Sequence, residues 1–339
     1  MVKFISPLFH ACLVLMVVLT ILLGSSQWLF KTLPVANNPS LQSAAVPAAA
    51  AETITLTKKA NPSLKLIIGG DVMLDRYIRK LGEKNGYDNI LAPIAPLLKT
   101  ADIALVNLEG PITSSPSQTL LPDGTLSKVL IFTFTTDTAP ALATAGVDLV
   151  SLANNHSDNF GLVGLAETKK WLASAGIDWF GGPWNNQGEA KIICQSEMCL
   201  AFVGYNEFND GFEQVLTEVR ELEDQVDFTV VMPHWGEEYV GEPTDQLKTK
   251  AKSLVEAGAD LIVGAHPHVI MSNEEIGGVP VFYSLGNLLF DQYFSPETMV
   301  GELLEIDLKR DDFNNQVKVA QIKIHQVSTV NRQTVEIVD

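Results

Sequence analysis

In the stretch LKLIIGGDVM, residues 64–73, a short apolar run at 64–68 is followed by two glycines and an aspartate. About four to eight apolar residues bounded by turn signals predict a buried strand. Asp71 would then follow the carboxyl end of this strand, where sheets with parallel strands bind their ligands. The pattern predicts an α/β domain whose functional side chains lie in the loops after its strands.

Similar apolar runs alternate with amphipathic segments through the rest of the chain, as expected for an α/β fold. They predict strands over residues 103–106, 148–152, 191–194, 200–204, 228–232, 260–263 and 279–283. The spacing of apolar residues predicts helices over 161–175, 209–226 and 244–257. Residues 300–338 predict further strands with a turn at 311–315, and we expect this tail to complete the same domain.

The composition favours a folded, acidic protein without a nucleic-acid partner. The 339 residues are 46% hydrophobic, which is enough for a substantial core. The formal net charge of -17 argues against nucleic-acid binding, because phosphate recognition depends on clustered Lys and Arg. An anionic substrate would need a local positive charge, and a bound cation is one such source.

The amino-terminal residues differ from the rest of the chain. Residues 4–30 contain no Asp, Glu, Lys or Arg, and about 20 apolar residues suffice for a membrane-spanning helix. We predict an N-terminal membrane anchor or signal sequence at 1–33, a flexible tether at 34–62 and one domain at 63–339. An uncleaved helix is favoured over a cleaved signal peptide, because no cleavage site follows the apolar segment directly. The domain is then expected on the extracytoplasmic side of the cell membrane, attached by a single-pass helix.

Two of the three cysteines, Cys194 and Cys199, flank four residues between two predicted strands. They could face each other across a hairpin. In an oxidising compartment such a pair can form a disulfide. The sequence is equally compatible with two reduced cysteines in the core.

Side chains that can bind metal recur at the ends of the predicted strands. They are Asp71, Glu109, Asn154, Asn155, His156, Asp158, His234, His266 and His268. A single histidine beside a strand is usually structural, but four of the six histidines follow strands here, which reverses that expectation. A mixed set of His, Asn and carboxylate ligands suits cations such as zinc, manganese or iron. The pattern predicts a divalent-cation site on one rim of the domain.

Simpler interpretations exist for individual residues. Asp71 could cap a helix, and Glu109 could be a solvated turn residue. His266 and His268 are two residues apart, so both rings would point the same way on an extended segment, which the intervening proline stiffens. Asp158 could orient an imidazole ring by a hydrogen bond, without itself binding the metal.

Six motifs occur in order along the chain. They are GDVML at 70–74, NLEGP at 107–111, SLANNH at 151–156, HWGEEY at 234–239, GAHPH at 264–268 and YSLGN at 283–287. With these motifs the chain resembles the CapA-type family of poly-γ-glutamate capsule biosynthesis proteins, over about residues 64–330. The resemblance implies a calcineurin-like metallophosphoesterase fold, which is a β-sandwich flanked by helices with metals bound at one end.

The resemblance also implies roles for single residues. It suggests as metal-site positions Asp71, Glu109, Asn155, His234, His266 and His268. His156 would be a catalytic residue that donates to the substrate or leaving group, with Asp158 acting through it. The wider phosphoesterase pattern has Asp-x-His at the first strand, whereas Met73 stands in place of that histidine here, and Glu109 replaces a bridging aspartate. One cation and two cations are therefore both retained as alternatives.

For function, the resemblance implies a part in the synthesis or export of a capsule polymer. The favoured hypothesis is a metal-dependent hydrolase that acts on an anionic polymer or ester with the help of manganese, zinc or iron. The alternatives are a non-catalytic polymer-binding or assembly subunit and a generic metallophosphoesterase. Other capsule synthesis or export subunits are the expected protein partners.

Overall fold

The apolar run at residues 64–68 is part of a longer strand, β1, which covers Ser63–Val72 and carries Asp71 near its end. The computed structural model describes residues 62–186 and 188–338. The predicted anchor and nearly all of the predicted tether lie outside these residues. Within the described ranges, no helix is both long and apolar enough to cross a membrane.

Thirteen further strands follow β1 in the described part of the chain. They are β2 (Ile103–Leu108), β3 (Leu149–Ser151), β4 (Asp178–Phe180), β5 (Lys191–Gln195), β6 (Met198–Asn206), β7 (Phe228–His234), β8 (Leu261–Val263), β9 (Asn273–Ile276), β10 (Val279–Phe282), β11 (Asn287–Leu289), β12 (Val300–Arg310), β13 (Val317–Ser328) and β14 (Glu336–Ile337). The helices are α1 (Arg76–Asn85), α2 (Tyr87–Leu91), α3 (Ala95–Leu98), α4 (Thr138–Ala145), α5 (Gly161–Ala175), α6 (Phe212–Leu222) and α7 (Asp245–Glu256).

The strands form two sheets. The first sheet has eight strands in the order β14-β13-β12-β1-β2-β3-β4, and β11 also pairs with β1. The second has six strands in the order β5-β6-β7-β8-β10-β9. Strands β1 to β4 are parallel, as are β6, β7, β8 and β10, so each sheet gathers several strand carboxyl ends at one edge.

The alternation of side chains along the strands builds a core on each face of the sheets. Leu66 and Ile68 of β1 belong to one buried cluster with Phe202 and Val230 of the second sheet, so this cluster lies between the sheets. Ile67 points the other way and belongs to a cluster that includes residues of α1, α4 and α5. A third cluster joins the second sheet to α6 and α7. The predicted α/β arrangement of sheets flanked by helices is confirmed.

Two glycines bring β1 close to the segment before β11. A Cβ atom at Gly70 would lie 2.0 Å from the carbonyl oxygen of Gly286, so no larger residue fits without a backbone shift. The pairing of β1 with β2 shifts register between Ile68 and Asp71. The shift places Asp71 opposite Asn107 and opposite Asn287 of β11.

Cys194 and Cys199 form a disulfide rather than a pair of reduced core cysteines. Cys194 of β5 and Cys199 of β6 are directly paired across the hairpin, with their Cα atoms 4.0 Å apart, and they form a disulfide bond. This covalent link lies at the edge of the second sheet, because β5 is its terminal strand.

Candidate metal centre

The carboxyl ends of strands from both sheets meet at one end of the sandwich. Strands β1, β2 and β3 contribute from the first sheet, and β7 and β8 contribute from the second. A chain of contacts between 3.0 and 4.0 Å joins the predicted positions Asp71, Glu109, Asn155, His156, His234, His266 and His268. The residues predicted from strand ends therefore form one cluster, although they come from two sheets.

Asp71 lies at the centre of this cluster and is fully buried. Its Oδ1 accepts a hydrogen bond from Asn107 Nδ2 at 2.7 Å. Its Oδ2 accepts from the backbone N–H of His266 at 3.1 Å and lies 3.3 Å from His268 Nδ1. The carboxylate thus links the first sheet to the His266-Pro267-His268 segment of the second. It therefore has a role in the cluster, and the simpler expectation that Asp71 only caps a helix does not account for these contacts.

Glu109 is fully buried just beyond β2, so it is not a solvated turn residue. Neither of its carboxylate oxygens has a hydrogen-bond partner among the described residues. Its Oε1 lies 3.7 Å from Nε2 of His268 and 4.0 Å from Nε2 of His156. Burial raises the pKa of this carboxyl well above its ordinary value, and the negative charges of Asp71 and Glu238 raise it further.

His234 ends strand β7 and is buried. Its Nδ1 lies 3.2 Å from Asn107 Nδ2, and its Nε2 lies 3.0 Å from Asn155 Oδ1. Burial, together with the imidazoles around it, holds the pKa of His234 well below its ordinary value. The ring is therefore neutral, which is the form that binds metal.

The His266-Pro267-His268 segment is bent rather than extended, so the extended geometry expected from the sequence is wrong. His266 has φ = 98° and His268 has φ = 58°, both in a region that residues other than glycine rarely adopt. The two ring centroids are nevertheless only 5.7 Å apart. Such backbone strain persists only where the surroundings impose it, and it clusters at functional sites.

His156 lies at the mouth of the cluster, packed on Phe132 with ring centroids 4.4 Å apart. Its Nδ1 lies 3.1 Å from Asn159 Oδ1, which also accepts from the Phe132 backbone N–H. Asn159, rather than Asp158, is therefore the residue that orients this ring. Burial lowers the pKa of His156 to about 4. With Nδ1 donating to Asn159, the neutral ring presents its Nε2 lone pair toward Glu109.

Buried amides hold the loops that carry these residues. Asn154 donates to the Leu108 carbonyl at 2.9 Å and to Asn107 Oδ1 at 3.1 Å, while its own oxygen accepts from the His156 backbone N–H. Asn287 Oδ1 lies 3.1 Å from Nδ1 of His268. Neither Asn107 nor Asn287 is among the ligands predicted from the sequence, although both lie within the motifs quoted above.

Two groups of three residues offer ligand atoms within 4.8 Å of one another among the described residues. One group is Asp71, Glu109 and His234, and the other is Glu238, His266 and His268. Glu238 is exposed and was not predicted; its only signal was its place in the HWGEEY motif, just after the end of a strand. Met73, which stands in place of the histidine of the wider phosphoesterase pattern, packs its side chain in the core, and its sulfur accepts from the Asp75 N–H at 3.1 Å.

The residues of the cluster fit a divalent cation. Carboxylate and amide oxygens and neutral imidazole nitrogens form a donor set that suits manganese, zinc or iron. The two unpartnered oxygens of Glu109 are the clearest sign, since a bound cation would let this carboxyl ionise, which burial otherwise opposes. Asp71, Glu109 and His234 would hold one ion, and Glu238, His266 and His268 offer ligands for another.

Comparison with known proteins shows the family. The profile described as "Bacterial capsule synthesis protein PGA_cap" matches residues 65–292, which contain every residue of the cluster. The chain therefore belongs to this family of bacterial capsule synthesis proteins.

Curated relatives carry corresponding names. The PGA biosynthesis protein CapA of Bacillus subtilis (strain 168) is 28% identical over 296 residues, covering 82% of this chain and 76% of the relative. The capsule biosynthesis protein CapA of Bacillus anthracis is 30% identical over 258 residues, covering 69% of this chain and 61% of the relative. The chain thus spans well under the full length of both relatives.

Among solved structures, the calcineurin-like phosphoesterase YfkN from Bacillus subtilis is similar with a TM-score of 0.47 and 15% identity, covering 82% of this chain and 93% of that one. A phosphatase from Mycoplasma pneumoniae has a TM-score of 0.47 and 15% identity, covering 79% of this chain and 94% of that one. The strand order and the layers of the chain itself define its fold.

Proposed function

We propose that this protein is a metal-dependent hydrolase that acts on an anionic polymer or ester during the synthesis or export of a bacterial capsule. The names of the Bacillus relatives support the capsule pathway. The two-sheet architecture flanked by helices supports the calcineurin-like metallophosphoesterase assignment. The main support for a bound metal is the environment of Glu109, whose buried carboxylate oxygens have no hydrogen-bond partner in the described part of the chain.

The residues around Glu109 have distinct roles in this proposal. Asp71 and His234 complete the ligand set with Glu109, and Asn107 holds both of them through one amide nitrogen. When bound, a divalent cation supplies Lewis acidity toward an oxygen of the substrate. The buried environment excludes most water, which strengthens every charge interaction at the site.

His156 is the residue that handles a proton. Its low pKa, caused by burial, keeps the ring neutral near pH 7. Because Asn159 holds the Nδ1–H group, Nε2 accepts a proton rather than donates one in the resting state. This assignment revises the donor role expected from the family resemblance, since donation must follow an earlier proton uptake at Nε2.

The location of the domain belongs to the same proposal. The uncharged segment at residues 4–30 supports an amino-terminal membrane anchor, with the domain held on the extracytoplasmic side of the cell membrane by residues 34–62. Other capsule synthesis or export subunits are the proposed partners.

Elemental analysis of the purified full-length chain tests the metal, and hydrolysis of poly-γ-glutamate and of generic phosphoesters tests the reaction. We expect manganese, zinc or iron in the wild type, and loss of both metal and hydrolysis in Glu109→Gln and His234→Ala. Glu256→Gln, on the exposed side of α7, is the matched control and should behave as wild type.

The outcomes of this experiment separate the alternatives. Metal-dependent turnover of phosphoesters but not of polymer would indicate a generic metallophosphoesterase. Polymer binding without any turnover would indicate a non-catalytic assembly subunit. A wild-type protein that binds none of the three metals would overturn the proposal.

A further inference from the structure

Strand β6 ends at Asn206, and the two residues that follow it border the metal centre. Asn206 pairs with His234 across the parallel strands, and the Glu207 backbone N–H donates to the His234 carbonyl at 3.0 Å. The Phe208 ring packs on His266 with centroids 4.4 Å apart. Neither Glu207 nor Phe208 belongs to the two ligand groups of the described residues, so this segment contacts the centre without supplying a ligand to either group.

The Glu207 carboxylate makes two contacts, one with each of its oxygens. Its Oε2 accepts from the backbone N–H of Gly236 at 2.6 Å. Its Oε1 accepts from the ammonium group of Lys250 on α7. The side chains of Glu207 and Lys250 are only 19% and 16% exposed, so water competes weakly for either contact. The carboxylate thus joins the backbone that follows β7 to a helix of the second sheet's outer layer.

Lys250 is itself held by aromatic residues. Its Nζ lies 3.0 Å from the Tyr205 hydroxyl, and 5.3 Å and 5.6 Å from the ring centroids of Tyr205 and Phe212. Burial lowers the pKa of Lys250, but its hydrogen bonds with Glu207 and Tyr205 raise it, and the net shift is upward. The ammonium group therefore stays charged at neutral pH and needs an acceptor at Glu207.

The turn at residues 235–239 carries Glu238, the carboxylate of the second ligand group. Gly236 has φ = 90° and Tyr239 has φ = 66°, both in the left-handed region. Glycine adopts this conformation as one of several, whereas a tyrosine adopts it only at a cost. Contacts from outside the turn must therefore select the backbone conformation on both sides of Glu238.

Two hydrogen bonds supply these contacts. The Gly236 N–H donates to Glu207 before Glu238 in the chain, and the Tyr239 N–H donates to the Pro267 carbonyl at 2.8 Å after it. The second bond ties the turn directly to the segment that carries the histidines of the same ligand group. The Glu238 side chain is exposed, so its position depends on the backbone that bears it rather than on packing.

Only a side chain with two acceptor oxygens can make both contacts of Glu207. The Gly236 N–H and the Lys250 ammonium are both donors, and a carboxylate has an oxygen for each. A glutamine has one oxygen and one NH₂ group, so it can accept from one donor but turns its own N–H groups toward the other. The negative charge at this position thus allows the turn and the ammonium group to be held at once.

We propose that Glu207 is a positioning residue of the metal centre, which holds the turn at 235–239 so that Glu238 completes the second ligand group and a second ion is bound. The backbone N–H of Glu207 also supports His234 of the first group, but that bond does not depend on the side chain. Replacing the side chain therefore affects the second ion selectively. This inference rests on the proposed function, because it concerns the second ion of the same centre.

Titration calorimetry of the chelator-treated, full-length chain with manganese measures how many ions bind and how tightly. The wild type should bind two, and Glu238→Gln identifies the second because it alters a ligand of that ion. In Glu207→Gln the affinity for the second ion should fall roughly ten- to a hundredfold, as when a residue that orients a ligand is removed, while the first ion binds as in the wild type. Glu256→Gln makes the same chemical change on the exposed side of α7 and should bind both ions normally.

Lys250→Met separates positioning from a general structural role. Methionine keeps an apolar side chain against the Tyr205 and Phe212 rings but removes the ammonium group. The single variant should bind both ions, because Glu207 still accepts from Gly236. In the double variant Glu207→Gln, Lys250→Met, the glutamine oxygen has one donor left to serve, so the affinity for the second ion should return to near the wild-type value.

Three results would overturn the inference. Wild-type affinity for the second ion in Glu207→Gln would show that the turn does not need the carboxylate. Equal loss of both ions in that variant would show a general loosening of the fold. A double variant that binds the second ion no better than Glu207→Gln would show that the bond to Gly236 is not the cause.

The number of ions bound by the wild type distinguishes this failure from failure of the proposed function. If the wild type binds one ion only, the inference fails, while the proposed function stands on the ion held by Asp71, Glu109 and His234. If the wild type binds no metal, the proposed function fails and the inference fails with it.

Discussion

Asp71 and Asn107 lie opposite each other on the parallel strands β1 and β2, and the Asn107 amide donates to Asp71 Oδ1 at 2.7 Å. The same amide nitrogen lies 3.2 Å from His234 Nδ1, so one side chain holds residues from both sheets. Their pairing follows a register shift after Ile68, without which these two residues would not be opposite. The geometry of the centre thus depends on a residue that is not itself a predicted ligand.

Replacing Asn107 should weaken the metal site without unfolding the protein. In Asn107→Ala, Asp71 and His234 lose their common donor and can rotate, so metal affinity should fall ten- to a hundredfold, roughly the effect of removing a residue that orients ligands. Titration calorimetry with manganese measures this. Ser151→Ala, at the position paired with Asn107 on β3, is the control and should keep wild-type affinity. Equal affinity in the two variants would contradict the role assigned to Asn107.

Glu109→Gln should abolish metal binding and stabilise the metal-free protein. The raised pKa of Glu109 means that the folded protein holds this proton more tightly than the unfolded chain. The Glu109 carboxyl therefore reduces the folding stability as the pH rises above 4.5, the ordinary pKa of a glutamate. Glutamine does not ionise, so the variant does not lose this stability. The melting temperature of chelator-treated Glu109→Gln should exceed that of the wild type, increasingly so at higher pH. A lower melting temperature across this range would show that Glu109 has a structural partner.

Acidification should destabilise the metal-free protein through its histidines. Burial lowers the pKa of both His156 and His266 to about 4, from 6.5 in the unfolded chain. The unfolded chain then binds more protons below pH 6.5, so the stability contributed by each neutral ring is present above 6.5 and is lost as pH falls toward 4.

Glu109 changes the stability with pH in the direction opposite to the histidines. Comparing the wild type with His156→Gln isolates the contribution of one imidazole ring, because Glu109 is present in both proteins. The difference in melting temperature between the wild type and the variant should become less favourable to the wild type as pH falls from 6.5 to about 4. Differential scanning calorimetry with chelator present measures it. Parallel profiles over this range would contradict the low pKa of His156.

The Cys194–Cys199 disulfide should contribute modestly to stability and nothing to the metal centre. The two cysteines are only 5 residues apart in sequence, and closing so short a loop stabilises by about 2 kcal/mol. The double variant Cys194→Ser, Cys199→Ser should lose about that much in denaturant unfolding, with unchanged metal affinity. Wild type treated with reductant should match the variant, and loss of metal on reduction would contradict the independence of the two features.

Much of the fold follows from local pattern. The helix predicted over 161–175 is α5, Gly161–Ala175, because fifteen residues of helical periodicity end at a glycine in the left-handed conformation. The strands before Asp71, Glu109 and His234 were also predicted, because short apolar runs between turn signals have few other structures open to them. Helices α1 and α4 were missed, since α1 is mostly polar and α4 contains a proline within an apolar run.

The amino-acid sequence by itself determined that histidines, carboxylates and amides follow strands, and hence that they gather at one rim. Only the tertiary structure decided which atoms meet: Asn107 with Asp71 and His234, Asn159 instead of Asp158 with His156, and Glu238 with His266 and His268. The physical reason is that apolar periodicity is encoded within a few neighbouring residues, whereas most of these contacts join residues far apart in sequence, up to 127 positions for Asn107 and His234. They depend on strand register, on the facing of two sheets and on the positive φ angles of His266 and His268, none of which a local pattern specifies.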